Sequence, residues 1–214
     1  VYPKTLNLNA AVPDPRIMGI IREEGGKMYM TDNEWSQAYN EFYEGFRAYQ
    51  EAGNSRAKLC LKYVVLANML ATSNINPFDG REAKAFQDEL EISAMRQLRQ
   101  AYDANDLKSF ELVLFKNKAI TQDPYIMQYL DPLRRKMIEH VLLSYVKPYH
   151  RLTFDFIASQ LNLPISTLQD ILIDLILDNR IHGKIDQPNN LLILDHAPSS
   201  ATTTTTTSKN APSA

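Results

Sequence analysis

Apolar residues return every three to four positions over most of residues 1–147, the spacing that lays one stripe along an α-helix. The pattern predicts an amphipathic helix over 16–30. A second helix follows, with Trp35, Ala38, Tyr39, Phe42, Phe46 and Tyr49 on one face. Thr31 and Glu34 have the separation of a capping box, so this second helix is expected to open at Thr31 and to stop at Gly53. Together the two make a helical hairpin. Gly26, Tyr29, Ala38 and Phe42 fall at the offsets of a tetratricopeptide repeat, where small residues let two helices approach and aromatic rings fill the space between them. Tyr63 lies 34 residues after Tyr29, the period of that repeat, but the motif INPFDG at 75–80 interrupts the matching second helix.

More helices are predicted over 55–71, up to Ala104, after a cap at Asp106, and from Asp123-Pro124, where proline suits the first turn. Asp131-Pro132 predicts a break or kink before a helix over 133–146. Residues 1–147 therefore read as an irregular right-handed solenoid of stacked helix pairs, in a chain that is mainly α. From 148 to 196 the segments shorten. Residues 152–154 read as a strand or the start of a helix, and Phe156, Ile157 and Leu161 mark a short helix ending at the motif NLP. Ser166 is expected to cap a second helix, and two apolar runs joined by DQPNN predict a β-hairpin. Helix, turn, helix, hairpin is the order of a winged helix. Residues 197–214, with their threonine run, lack the apolar side chains that offset ordering entropy and are expected to form a disordered tail.

Composition narrows the class. The chain has 214 residues, 44% of them apolar and 22% charged, a single cysteine and a formal net charge of −2. These values fit one large or two smaller globular domains and exclude disulfide scaffolds and collagen-like repeats. No stretch approaches the roughly 20 apolar residues of a membrane-spanning helix, and no basic and then apolar leader opens the chain, so no membrane partner is expected. Val1 in place of Met is the expectation for a piece of a longer protein.

A winged helix raises DNA binding, which needs basic or amide side chains on the second helix. Here that helix carries Asp170, Asp174 and Asp178 on one face. Residues 148–196 hold three basic residues (Arg151, Arg180, Lys184) against six acidic ones (Asp155, Asp170, Asp174, Asp178, Asp186, Asp195), a net charge of −3. Duplex DNA would be repelled, so no nucleic-acid partner is expected. Enzyme readings fare worse. His140, His150, His182 and His196 form no metal-binding pair, no phosphate-binding glycine loop is present, and Cys60 sits in an apolar helix, so neither cofactor, metal nor catalytic residue is expected. Arg134, Arg135 and Lys136 read as a solvated helix face, and the aromatics from Trp35 to Phe46 as core. What remains is the hairpin. Its residues Ile181, Ile185, Leu191, Leu192, Ile193 and Leu194 are apolar, and its last strand is expected to end the sheet at an open edge able to accept a strand from another molecule.

Helical repeats followed by a winged helix resemble the PCI domains of the proteasome lid, the COP9 signalosome and the translation initiation factor complex. The stretches GGKMYM (25–30), CLKYVVLANML (60–70), INPFDGREAK (75–84) and ILDNRIHGKIDQPNNLLIL (176–194) are similar to a signalosome member of that family. The proteasome lid is the alternative, and a winged-helix nucleic-acid-binding protein the less favoured one. The resemblance implies a non-catalytic scaffold of the nucleus and cytoplasm that joins other PCI subunits through winged-helix strand edges. A separate metalloprotease subunit removes a ubiquitin-like modifier from cullin-RING ligases. It implies assembly residues at Arg180, Ile181, His182, Gly183, Lys184, Ile185, Asp186, Leu191, Leu192, Ile193 and Leu194. Contacts with cullin-RING ligases and inositol phosphate are implied for an amino-terminal solenoid outside this sequence. The family also ends in a helix that joins a multi-subunit bundle, in place of the threonine-rich tail.

Overall fold

A computed structural model describes residues 14–195 apart from 87, 118–119 and 121. The expected tail at 197–214 lies outside the described residues. The chain divides into two compact units, Val1–Tyr145 and Val146–Ala214.

The first unit opens with α1 (Pro15–Thr31), α2 (Trp35–Glu51) and α3 (Arg56–Leu70). α1 and α2 pack closely because glycines face aromatic rings. A Cβ on Gly26 would lie 2.6 Å from ring carbons of Phe42, and one on Gly19 2.6 Å from those of Tyr49. Gly26→Ala is therefore expected to lower stability by about 2 kcal/mol, although alanine favours helix by about 1 kcal/mol, because overpacking costs more. A urea-unfolding midpoint at or above that of the unchanged protein would contradict this close approach. α3 is buried on nearly every side, from Cys60 through Leu70. That is the signature of a central helix.

The turn from α1 to α2 corrects the expected capping box. Thr31 is the last residue of α1, and its Oγ1 donates to the Lys27 carbonyl (3.1 Å). Asn33 takes a left-handed conformation (φ 60°) that reverses the chain, and Glu34 precedes α2 without a side-chain cap bond. Gly53 (φ 63°) follows the end of α2 as expected. Beyond α3, Asn76 caps a single 3₁₀ turn (Pro77–Asp79), followed by α4 (Arg81–Lys84), α5 (Leu90–Asp103) and α6 (Leu107–Lys116). Asp106 accepts from the Ser109 amide at 3.0 Å, as its position predicts. Arg99, 1% exposed, donates to Asn68 Oδ1 and to the Ser73 carbonyl (2.8 Å) and pairs with Asp103, tying α5 to the end of α3. Asp123 caps α7 (Pro124–Met127), and α8 (Leu130–Val146) follows. The break therefore falls before Leu130. Asp131 and Pro132 lie in the first turn of α8, where proline forfeits no helical hydrogen bond.

The second unit contains β1 (Arg151–Thr153), α9 (Phe154–Leu161), α10 (Ile165–Leu177), β2 (Gly183–Asp186) and β3 (Leu191–Leu194). Thr153 ends β1 and caps α9, its Oγ1 accepting from the Phe156 amide. Asn162 closes α9 in the left-handed region (φ 53°). Pro164, not Ser166, then precedes α10, and it makes no side-chain cap bond. Pro164 has extended geometry (φ −61°, ψ 141°) and its carbonyl accepts from the Leu168 amide at 3.1 Å, which starts the helix at Ile165, ahead of Ser166.

Candidate functional site

The three strands form one antiparallel sheet in the order β1-β3-β2. The last strand is therefore central, which corrects the expectation that it forms the open edge. Both backbone sides of β3 are occupied, and the free edges belong to β1 and β2. The reason lies in β1, read from the sequence as a strand or helix start without a partner, which pairs Arg151 with Ile193, Leu152 with Leu192 and Thr153 with Leu191.

Register decides which side chains face outward. Leu192 stands opposite both Leu152 and Ile185, and Leu194 opposite Gly183. Residues opposed in an antiparallel pair share a face, so these line the inner side. Leu192 is fully buried and Leu152 nearly so, with Ile181 and Leu194 also in the core. The outer side presents Arg151, Ile193 and Lys184 in one row and Thr153, Leu191 and Asp186 in the next. Ile185, Asp186, Leu191 and Ile193 are half-buried, and Arg180, His182 and Lys184 are exposed.

Gly183 has a backbone role, because a Cβ there would meet the Ile193 carbonyl oxygen at 2.5 Å. Asp186 shapes the turn: its carboxylate accepts from Asn189 Nδ2 at 2.9 Å, and Asn190 (φ 50°) returns the chain to β3. The Arg180 and Ile181 amides donate to the Leu175 carbonyl and close α10. Of the eleven expected assembly residues, Ile181, Leu192 and Leu194 thus serve the core, and the accessible ones cluster on β2 and the outer side of β3.

Hydrogen-bond alternation fixes what the β2 edge offers. The Asp195 amide donates to the His182 carbonyl at 2.9 Å, so His182, Lys184 and Asp186 point their backbone groups toward β3. The N–H and C=O of Gly183 and Ile185 then point away from the sheet, ready for another strand. Beside this edge lies a groove of about 530 Å³ lined by Ile173, Lys184, Ile185, Asp186, Pro188 and Ile193. The β1 edge offers three residues before the chain turns into α9.

The other candidates resolve into structure. Arg134 pairs with Glu111 (2.9 Å) and Asp131, and Arg135 and Lys136 both pair with Glu139. Cys60 is buried and its Sγ contacts the Phe42 carbonyl at 3.1 Å, with burial pushing the thiol pKa far up. Phe42 and Phe46 are fully buried, and Trp35 meets Tyr129 edge to face. His140 stacks on Tyr102, and His150 accepts from the Leu194 amide through its carbonyl. Among the described residues, no cluster of three or more His, Cys, Asp or Glu side chains could hold a metal ion, and no helix is long and apolar enough to cross a membrane.

One group that sequence reading missed is Glu23, 1% exposed, which holds three helices together. Its carboxylate accepts from the Tyr49 hydroxyl (2.7 Å) and Arg56 Nη2 (2.8 Å) and pairs with Lys27 (2.9 Å). Its signal was position: Glu23 shares the face of Gly19 and Gly26, at helical spacing.

A mainly helical chain ending in a winged helix with an open strand edge has the build of a PCI-domain protein, and residues 107–196 match the family described as PCI domain. The chain is 50% identical over 202 residues to the COP9 signalosome complex subunit 2 of Dictyostelium discoideum, a match covering 94% of this chain and 45% of the relative. It is 41% identical over 203 residues to the subunit of that name from Drosophila melanogaster, covering 94% and 46%. A 26S proteasome non-ATPase regulatory subunit 11 homolog from Arabidopsis thaliana is 26% identical over 195 residues, covering 90% and 46%. The chain thus spans about 45% of the length of the curated relatives it matches. The similarity to the signalosome subunits thus exceeds that to the proteasome subunit.

Proposed function

We propose that this chain is the PCI assembly module of a COP9 signalosome subunit 2, a non-catalytic scaffold of the nucleus and cytoplasm. It joins other PCI subunits so that the assembled complex can deneddylate cullin-RING ligases, with catalysis supplied by a separate subunit. The observation that carries this reading is the β2 edge, whose Gly183 and Ile185 backbone groups point outward beside an apolar groove. Backbone pairing there sets orientation, and apolar contact with Ile173, Ile185 and Ile193 supplies most of the affinity. Similarity to the signalosome subunits supports these partners over those of the proteasome lid. The acidic α10 argues against duplex DNA as the partner.

The test is co-purification of tagged full-length protein with its neighbours. Ile185→Pro removes an outward N–H while leaving the bonds to β3, and proline is tolerated on an edge strand. Both this variant and Ile185→Asp are expected to reduce recovery of neighbouring signalosome subunits by about tenfold or more, the loss that follows removal of a central interface contact. Undiminished recovery with folded protein would remove the β2 edge from the assembly, and recovery of lid subunits instead would replace the complex.

A further inference from the structure

The outward face of α10 is a second surface, which adjoins the strand edge and shares Ile173 with it. The helix turns 100° per residue, and Leu168, Ile171, Leu172 and Leu175 point to the core. On the opposite side, Leu177 is 72% exposed and Ile173 39%, an i, i+4 pair that forms one ridge. Asp170 and Asp174 are exposed and form the parallel ridge beside it, which the exposed C-cap residue Asp178 extends. An apolar strip is therefore bordered on one flank by carboxylates. On the other flank, Ile173 reaches the groove that Ile185 and Ile193 also line.

Charge selects the occupant. A second copy docked antiparallel by two-fold symmetry would set aspartate ridge against aspartate ridge. Anionic lipid and nucleic acid meet the same repulsion. A helix with an apolar i, i+4 ridge and a basic ridge next to it is complementary on both counts, because i±4 ridges of two helices interdigitate. We infer that the outward face of α10 docks a basic amphipathic helical segment of another protein. Ile173 and Leu177 give the apolar contact, and Asp170, Asp174 and Asp178 set its orientation. The face occupies the place where a DNA-binding winged helix presents its basic recognition helix, with the sign of the charge inverted.

The probe is a fluorescein-labelled amphipathic helical peptide of leucine and lysine, titrated with the full chain and followed by fluorescence anisotropy at low and at physiological salt. Binding is expected for this peptide and not for its leucine and glutamate counterpart. The triple variant Asp170→Asn, Asp174→Asn, Asp178→Asn and the single variant Leu177→Ser are each expected to weaken it about tenfold or more, as loss of complementary charge or of a central apolar contact does. Neutralising Glu34, Glu51 and Asp88, three exposed acids of the other unit, should leave affinity unchanged. Ile185→Pro should weaken it less than Leu177→Ser does, which distinguishes this surface from the strand edge. All the α10 substitutions are at exposed positions, and circular dichroism checks that the helix persists. Absence of binding, equal binding of the acidic peptide, or equal loss from the two sets of neutralised acids would overturn the inference.

Discussion

In a Leu192→Asp chain, the amides of β1, β2 and β3 exchange with solvent at unfolded rates, while those of α1 to α3 stay protected. Leu192 is fully exposed to nothing but the interior: its side chain is completely buried, and it opposes both Leu152 and Ile185 at the centre of the sheet. An ionised carboxylate there has no partner, so the cost is about 4 kcal/mol or more, the range reserved for an unpaired buried charge. The neighbouring substitution makes the prediction specific. Ile193 faces outward between Arg151 and Lys184, so Ile193→Asp places a carboxylate between two cations and is expected to cost less than about 1 kcal/mol. Hydrogen exchange read by mass spectrometry over residues 150–195 compares the two. Greater damage from Ile193→Asp than from Leu192→Asp would mean that the register is shifted by one residue, because such a slip moves every side chain to the other face. A consequence for assembly tests follows. Leu192→Asp would abolish partner binding by unfolding the wing, so only edge and outer-face variants report on docking.

Replacing Glu23 with alanine is expected to lower the stability of the first unit by about 3 kcal/mol, because it strands a buried Tyr49 hydroxyl and breaks the links to Arg56 and Lys27. Burial alone would raise the Glu23 pKa. The hydrogen bonds from Tyr49, Lys27 and Arg56 outweigh it and hold the carboxyl below its ordinary value of 4.5. A depressed folded-state pKa means that the unfolded chain binds the proton first. The stabilisation is therefore complete above pH 4.5 and is lost as pH falls through the lower, folded-state value. Glu23→Gln lacks this dependence. The stability gap between the unchanged protein and Glu23→Gln, from urea unfolding at a series of pH values, should be constant at neutral pH and narrow below pH 4.5. A gap that widened on acidification would reverse the sign and remove Glu23 as the paired, ionised group.

Helix existence was legible wherever an apolar stripe ran for three turns or more, as in α1, α2, α3 and α5, because burial of that stripe is what stabilises a helix. Boundaries were less legible. Thr31 and Ser166 have capping chemistry, yet Asn33 and Pro164 decide where the next helix starts, because left-handed and proline backbone geometry constrains a short turn more than one side-chain bond does. Asparagine is the recurrent helix-stop signal here, left-handed at 33, 105, 162 and 179, and it serves the hairpin turn in the same conformation at 190. In the wing, the hairpin showed in its DQPNN turn. The third strand showed only as one of two readings of residues 152–154, because β1 has three residues and alternation needs more to register. Its pairing with the last strand was not legible, and that placed the open edge on the wrong strand. Glu23 was missed for a related reason: a carboxylate on a glycine-lined face reads as surface charge until partners from two other helices converge on it.

The central position of β3 also sets an order of events during synthesis. β1 and β2 leave the ribosome with no partner, since neither pairs with the other, and both wait for Leu191–Leu194. Loop closure from Arg151 to Ile193 is needed before either strand is protected. Until then the nascent wing exposes two unpaired strands along with Leu152 and Ile185, surfaces that invite aggregation or premature pairing with a partner. Completion of the wing is thus a single late step, and a chain truncated before residue 191 leaves both β1 and β2 without a partner strand.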